Sequence, residues 1–216
     1  MDRLIPIVDN EWYHVYNRGN DRRTLFLDAQ DYHSFRTKME AASARYHIQR
    51  IAYVLMPNHF HAIVMQKQGG DLSRMMMALG TSYARRYNLR HHHTGHVLQG
   101  RYHYTHIPNE DALFKVAAYI HMNPVRAGLA SRPDDWEFSD FGEIRDQGVL
   151  QPGVSSGEGR FEPGRLEPGL ALLSTRRYID FIREATLDLE NVRRFLFESE
   201  TDCAKASKTK ASFNLE

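Results

Sequence analysis

Four side chains in this 216-residue chain have types and spacings that could do chemistry together: His59, His61, Tyr119 and Asn123. His59 and His61 flank Phe60 within the run Val-Leu-Met-Pro-Asn-His-Phe-His-Ala-Ile-Val, from Val54 to Val64. On a strand, residues i and i+2 point to one face, so the two imidazoles project together. That suits two ligands of one divalent metal. Tyr119 and Asn123 are four apart at the end of a helical pattern and share a helix face. Packed beside the strand, that face would add a hydroxyl and an amide oxygen to the two imidazoles. A cation on two His and one Asn oxygen keeps positions open for a phosphate oxygen and water, and acts there as a Lewis acid. Tyr119 is then the nucleophile, forming a covalent phosphotyrosine. A phenol ionises only near pH ~10 in model compounds, and the sequence shows no group that assists it. Blander readings stand beside these. His-x-His also occurs on the polar face of a half-buried strand, and Tyr119 could be a core aromatic with its hydroxyl at the surface.

The elements that must position these residues follow from periodicity and end signals. Trp12 to Tyr16 reads as a first strand, ended by the turn Asn17-Arg18-Gly19-Asn20. Asp28 caps a helix to about Tyr46, with Tyr32, Phe35, Met39 and Ala42 at helical spacing. Ile48 to Leu55 and His59 to Gln66 are strands joined by a turn at Pro57-Asn58. A second helix runs from about Leu72 to Tyr87, and a fourth strand lies within His96 to Ile107. His91-His92-His93 reads as a solvated turn. Asn109 opens a third helix, Glu110 and Asp111 favour its positive end, and Pro124 stops it. Strand, helix, strand, strand, helix, strand, helix is the ferredoxin-like order plus one helix. The expected class is α+β: an antiparallel sheet with helices on one face, and an added helix carrying Tyr119.

Composition narrows the partners. Residues 1–130 carry 16 Lys and Arg against 10 Asp and Glu, net +6; residues 131–216 carry 12 against 17, net −5. All 12 histidines lie at or before His121. A basic, His-rich first part favours a polyanionic partner, nucleic acid first. The single cysteine, Cys203, excludes an internal disulfide framework and a thiolate metal cluster. No apolar run approaches the roughly 20 residues of a membrane span. The first residues lack a secretory signal's apolar core, so a cytoplasmic, nucleoid-associated protein is expected. A domain over residues 1–145, with Asp134 to Phe141 as a packed extension, would precede a Gly/Pro-rich linker over 146–169. A helical segment over 170–200 and a disordered tail over 201–216 would follow.

Three motifs make a resemblance specific. Met56-Pro57-Asn58-His59-Phe60-His61, Gly95-His96-Val97-Leu98-Gln99-Gly100-Arg101-Tyr102 and Tyr119-Ile120-His121-Met122-Asn123-Pro124-Val125-Arg126-Ala127 resemble the REP-associated tyrosine transposases, of the HUH single-tyrosine superfamily. Tyr13 to Asn20 is similar to their N-terminal strand, and the resemblance spans roughly residues 11–145. It implies a ferredoxin-like catalytic domain that cleaves and rejoins single-stranded DNA at hairpin-forming repeats, as a monomer or homodimer. It implies Mg²⁺ or Mn²⁺ on His59 and His61, and Tyr119 joined to a 5′-phosphate with a 3′-hydroxyl left behind. Asn123 would be the third ligand or, since wider relatives place Gln there, an outer-shell partner. Arg18, Arg101 and Arg126 would meet phosphate, with Arg22, Arg23, Arg85 and Arg86 as further candidates. Tyr102, with Tyr13 and Tyr104, would stack on bases. Trp136 to Phe141 matches the family's Trp-Ser-Ser-Tyr-like stretch loosely, and nothing after about residue 146 matches. The acidic tail is expected to compete with DNA for the basic face. Two alternatives stay open: a hairpin-binding module without catalysis, and a metal hydrolase that uses activated water.

Overall fold

The computed structural model describes residues 6–149, together with Tyr178 and Ile182. Strands β1 (Trp12–Arg18), β2 (Ile48–Met56), β3 (His59–Gln66) and β4 (His103–Ile107) alternate with helices α1 (Ala29–Arg45), α2 (Leu72–Arg90) and α3 (Glu110–Arg126); α4 (Phe141–Val149) follows. The four strands form one antiparallel sheet in the order β2-β3-β1-β4, the ferredoxin-like arrangement. The caps read from the sequence are present: the Asp28 and Asn109 side chains accept from the Asp31 and Ala112 backbone N–H groups.

Strand period two divides the side chains between two cores. Tyr13, Val15, Tyr53, Leu55, Phe60, Ala62 and Val64 face α1 and α2, where Phe35, Met39, Leu72, Met75, Leu79 and Tyr83 close over them. Ala52, Val54, Met56 and Ile63 face α3 and meet Leu113, Val116, Ala117 and Ile120. Each such side chain, fully buried, contributes about 1.5–3 kcal/mol. The α1–α2 layer thus covers one sheet face and α3 the other, as the seven-element order implied. The edge strand β2 is also covered: Leu55 N donates to Phe138 O (2.9 Å), and Trp136 Nε1 donates to Leu55 O (3.0 Å).

Two local expectations are corrected. Helix α3 does not stop at Pro124 but continues to Arg126. Proline has no N–H for the Ile120 carbonyl, four residues back. The Asn123 amide Nδ2 supplies a substitute, donating to Tyr119 O (2.9 Å) and Ile120 O (3.4 Å). The helix then ends on Gly128 at φ +67°, where Leu129 N donates to Pro124 O. Residues 91–92 form the expected turn and His92 is exposed, but His91 and His93 are half-buried and bonded: His91 Nε2 lies 2.9 Å from Asp31 Oδ2, and His93 bonds Arg23 and Asn88. His91 ties the end of α2 to the first turn of α1, and His93 ties it to the segment before α1.

The expected linker, helical segment and tail lie outside the described residues, apart from 146–149, Tyr178 and Ile182. Those two are helical and buried in the α3 core. Tyr178 Oη lies 2.7 Å from His121 Nδ1, and His121 Nε2 lies 3.0 Å from Asp140 Oδ1, which also accepts from Tyr53 N (2.8 Å). This buried chain ties α3 to β2 and to the C-terminal part. Tyr178→Phe leaves the buried His121 Nδ1 without its partner, and unfolding in urea should show a loss of about 1–3 kcal/mol. An unchanged midpoint would mean that Tyr178 does not dock on α3. Among the described residues, no helix is long and apolar enough to cross a membrane.

Candidate functional site

The α3 face of the sheet collects the polar rings. On β3, His59 and His61 alternate with the core residue Phe60, so both stand on this face, ring centroids 5.1 Å apart. On β1, His14 and Tyr16 take the same face, and the register sets Tyr16 opposite His61 and Arg18 opposite His59. From α3, Tyr119 comes edge-on to His61 with centroids 5.9 Å apart. The Arg126 guanidinium carbon lies 5.4 Å from the centre of the Tyr119 ring. Tyr119 therefore has an imidazole edge and a permanent cation as neighbours.

Neighbours set the proton positions of the two histidines. Asn58 Nδ2 donates to Arg22 O (3.4 Å), so its Oδ1 is the end 2.6 Å from His59 Nδ1. A carbonyl oxygen only accepts, so His59 carries its proton on Nδ1 and its lone pair on Nε2. His61 Nδ1 lies 2.9 Å from His14 Nε2, with both rings buried. Ligation through His61 Nε2 selects the tautomer in which His61 Nδ1–H donates to His14. The His14 proton then sits on Nδ1, a buried atom without a hydrogen-bond partner among the described residues. In the other tautomer the same atom is an equally unpartnered lone pair, so the orphan does not by itself oppose ligation.

All three rings are held neutral, the form that ligates metal. Burial lowers His14 to about 3. Burial and the charge of Arg18 lower His59 to about 4. Burial, followed by the neighbouring His14 and His59, pushes His61 well below the usual histidine range. Because the folded values lie below 6.5, the unfolded chain takes up protons that the folded chain refuses as pH drops. The stability due to neutral rings is thus complete above about pH 6.5 and lost progressively toward pH 4. Urea midpoints in EDTA should fall from about pH 7 to about pH 5; a flat profile would mean that the rings are hydrated and charged.

The donor set can hold a divalent cation only as an open site. Two imidazole Nε2 lone pairs are available, and no group of three or more His, Cys, Asp or Glu that could hold a metal occurs among the described residues. The Asn123 Nδ2 is committed to helix carbonyls, which leaves Oδ1 as its donor to a ligand. Oxygens from a bound phosphate and water would have to complete the shell.

The other sequence candidates separate. Arg18 is exposed, donates through Nε to Gln99 Oε1, and is close enough to lower both His59 and His103. Arg126 is exposed beside Tyr119, and Arg101 is exposed in the turn before β4. Tyr102 packs half-buried on the opposite, α2 side, with its Oη 3.4 Å from Ser73 Oγ. Tyr13 is buried in that same core and its hydroxyl accepts from Val8 N (2.7 Å), so its ring is closed to bases. Sequence reasoning missed His14, Tyr16 and Asn58 as parts of the site. The signal was present in each case: His14 and Tyr16 alternate on one strand, and Asn58 directly precedes His59.

A model of the family "Transposase IS200 like" matches residues 7–123, over half of the chain. The structure is similar to that of a REP-associated tyrosine transposase bound to a REP hairpin, at TM-score 0.61 and 18% identity, covering 77% of this chain and 98% of that one. A crystal structure from Deinococcus radiodurans, assigned as a transposase, matches at TM-score 0.40 and 17% identity, over 56% of this chain and 95% of that one; so slight a likeness carries no argument. No curated protein matches the chain.

Proposed function

The chain belongs to the IS200-like transposase family, and from that premise we propose that it cleaves and rejoins single-stranded DNA at hairpin-forming repeats, with Tyr119 as nucleophile. The family makes it a DNA transposase. The observation that carries the finer reading is the meeting of Tyr119 with His61, 5.9 Å between ring centres, under the Arg126 guanidinium. The hairpin substrate is proposed because the similar REP-associated transposase was solved bound to a REP hairpin.

In this reading His59 and His61 would hold the cation through Nε2, with Asn123 Oδ1 as the third protein donor. A bound Mg²⁺ or Mn²⁺ would supply Lewis-acid polarisation of the scissile phosphate. The chain's own residues do the rest. Tyr119 Oη attacks phosphorus, the bond from phosphorus to the 3′-oxygen breaks, and a 5′-phosphotyrosine and a free 3′-hydroxyl result. The phenol proton passes to solvent, and the departing 3′-oxygen takes one up. Attack by a 3′-hydroxyl on the phosphotyrosine reverses the step and rejoins DNA. Arg126 steadies negative charge near the phenol oxygen, and Arg18 anchors a phosphate beside His59. Arg101 and Tyr102 stand at the entry to β4 and would meet the hairpin rather than the reacting phosphate.

Domain boundaries at 145, 169 and 200 belong to the same proposal, as does action by a monomer or homodimer. The test is a covalent-adduct assay on the full chain. Incubated with hairpin DNA from beside its own gene, the protein should give a denaturation-resistant DNA adduct with Mn²⁺ and none with EDTA. DNA cut without an adduct would favour a hydrolase using water; binding without cutting would favour a hairpin binder.

A further inference from the structure

A ladder of rings leads away from Tyr119 across the sheet. His61 on β3, Tyr16 on β1 and His103 on β4 occupy one cross-strand row, since Tyr16 is registered opposite both histidines. Ring centroids are 5.9 Å apart from Tyr119 to His61, 5.6 Å from His61 to Tyr16, and 5.1 Å from Tyr16 to His103. The last pair is stacked, with 16° between planes. Among the described residues β4 is an edge strand, with no further strand of the sheet beyond His103. His103 is exposed, while the inner rings are half-buried or buried. Arg18, registered opposite His59, also places its charge near His103, so one cation lies between the proposed metal side and the end of the row.

Sequence-tolerant binding of single strands combines a cation on the backbone with an exposed ring that extends the base stack. Resting on the reading of Tyr119 as a DNA nucleophile, we propose that His103, backed by Tyr16, is a stacking platform for one unpaired base a few nucleotides from the scissile phosphate, with Arg18 on the intervening backbone. The platform explains why an edge strand displays an aromatic ring stacked flat on its neighbour: the outermost ring offers a face to a base. It also sets a direction, with the strand running from Tyr119 over β3 and β1 to the β4 edge. The base is held by its π-face rather than its hydrogen-bonding edge, so this subsite positions the strand and tolerates any base.

The test uses the full chain carrying Tyr119→Phe, in EDTA, so that cleavage plays no part. The probe is a single-stranded oligonucleotide of the hairpin repeat beside its gene, with an unpaired flank in which 2-aminopurine replaces each base in turn. One flank position should be quenched on binding. Adding His103→Ala should restore that fluorescence and weaken binding by about tenfold, while His103→Phe, which keeps a ring, should preserve both. Equal affinity and unchanged fluorescence in His103→Ala would overturn the platform and leave the reading of Tyr119 intact. A His103→Phe protein as weak as His103→Ala would overturn stacking in favour of a polar contact. Failure of the parent to bind any such oligonucleotide would overturn the hairpin reading and the platform with it.

Discussion

Tyr119→Phe should lose DNA cleavage by on the order of 10⁴-fold or more and give no covalent adduct, while binding hairpin DNA as the parent does. The size of the effect follows from the role. A nucleophile has no partial substitute, whereas a residue that merely positions substrate leaves most of the rate behind. The substitution is mild for the fold. Tyr119 is buried to 6% exposure among Val116, Ile120 and the sheet, and Phe retains the ring that meets His61 and Arg126. A quantitative gel with radiolabelled DNA decides it. Cleavage surviving in Tyr119→Phe would assign the attack to water and reduce Tyr119 to a packing and electrostatic part.

His59→Ala and His61→Ala should each lower metal-dependent cleavage by at least about 10²-fold and raise the metal concentration for half-maximal activity. With two imidazoles and one amide oxygen as the proposed protein donors, loss of either ring removes a large share of the binding free energy. His14→Phe removes only the partner behind His61 and should cost about 10- to 100-fold, the range for outer-shell partners. The three variants together separate ligation from orientation. Titration with Mn²⁺ provides the readout, and thermal midpoints in EDTA show whether each variant is folded. If His59→Ala cut at the parental rate at every metal concentration, His59 would not be a ligand.

Asn123 serves the backbone of α3 and, in the proposed function, would also serve a bound cation. Pro124 leaves the Ile120 carbonyl without its helical donor, and the Asn123 amide N–H group fills that place. The same bonds commit Nδ2 to the helix and leave Oδ1 as the atom that would meet the proposed cation. An aspartate at this position would lose the donor, and a longer glutamine would not place its amide in the same way.

Local order was legible because it depends on neighbours in the chain. Period two puts His59 and His61 on one face whatever the rest of the molecule does. Period 3.6 aligns Tyr119 with Asn123, and Asp28 and Asn109 mark helix starts through bonds only three residues long. The order of elements implied the sheet and the added helix, and three motifs carried the family resemblance. What needed the tertiary structure was every contact between elements distant in sequence. His14 meets His61 across 47 residues because the strand order sets β1 beside β3 in one register. The ladder to His103 exists only because β4 pairs with the other side of β1. Tyr13 looked able to stack on bases and Tyr16 was overlooked, yet their opposite parity on β1 sends Tyr13 into the core and Tyr16 to the face of His61. Arg126 reaches the Tyr119 ring because α3 continues two residues past Pro124, where the Asn123 side-chain amide donates to the Tyr119 and Ile120 carbonyls. The chain itself determined which residues share a face; which faces meet was decided by strand order and register.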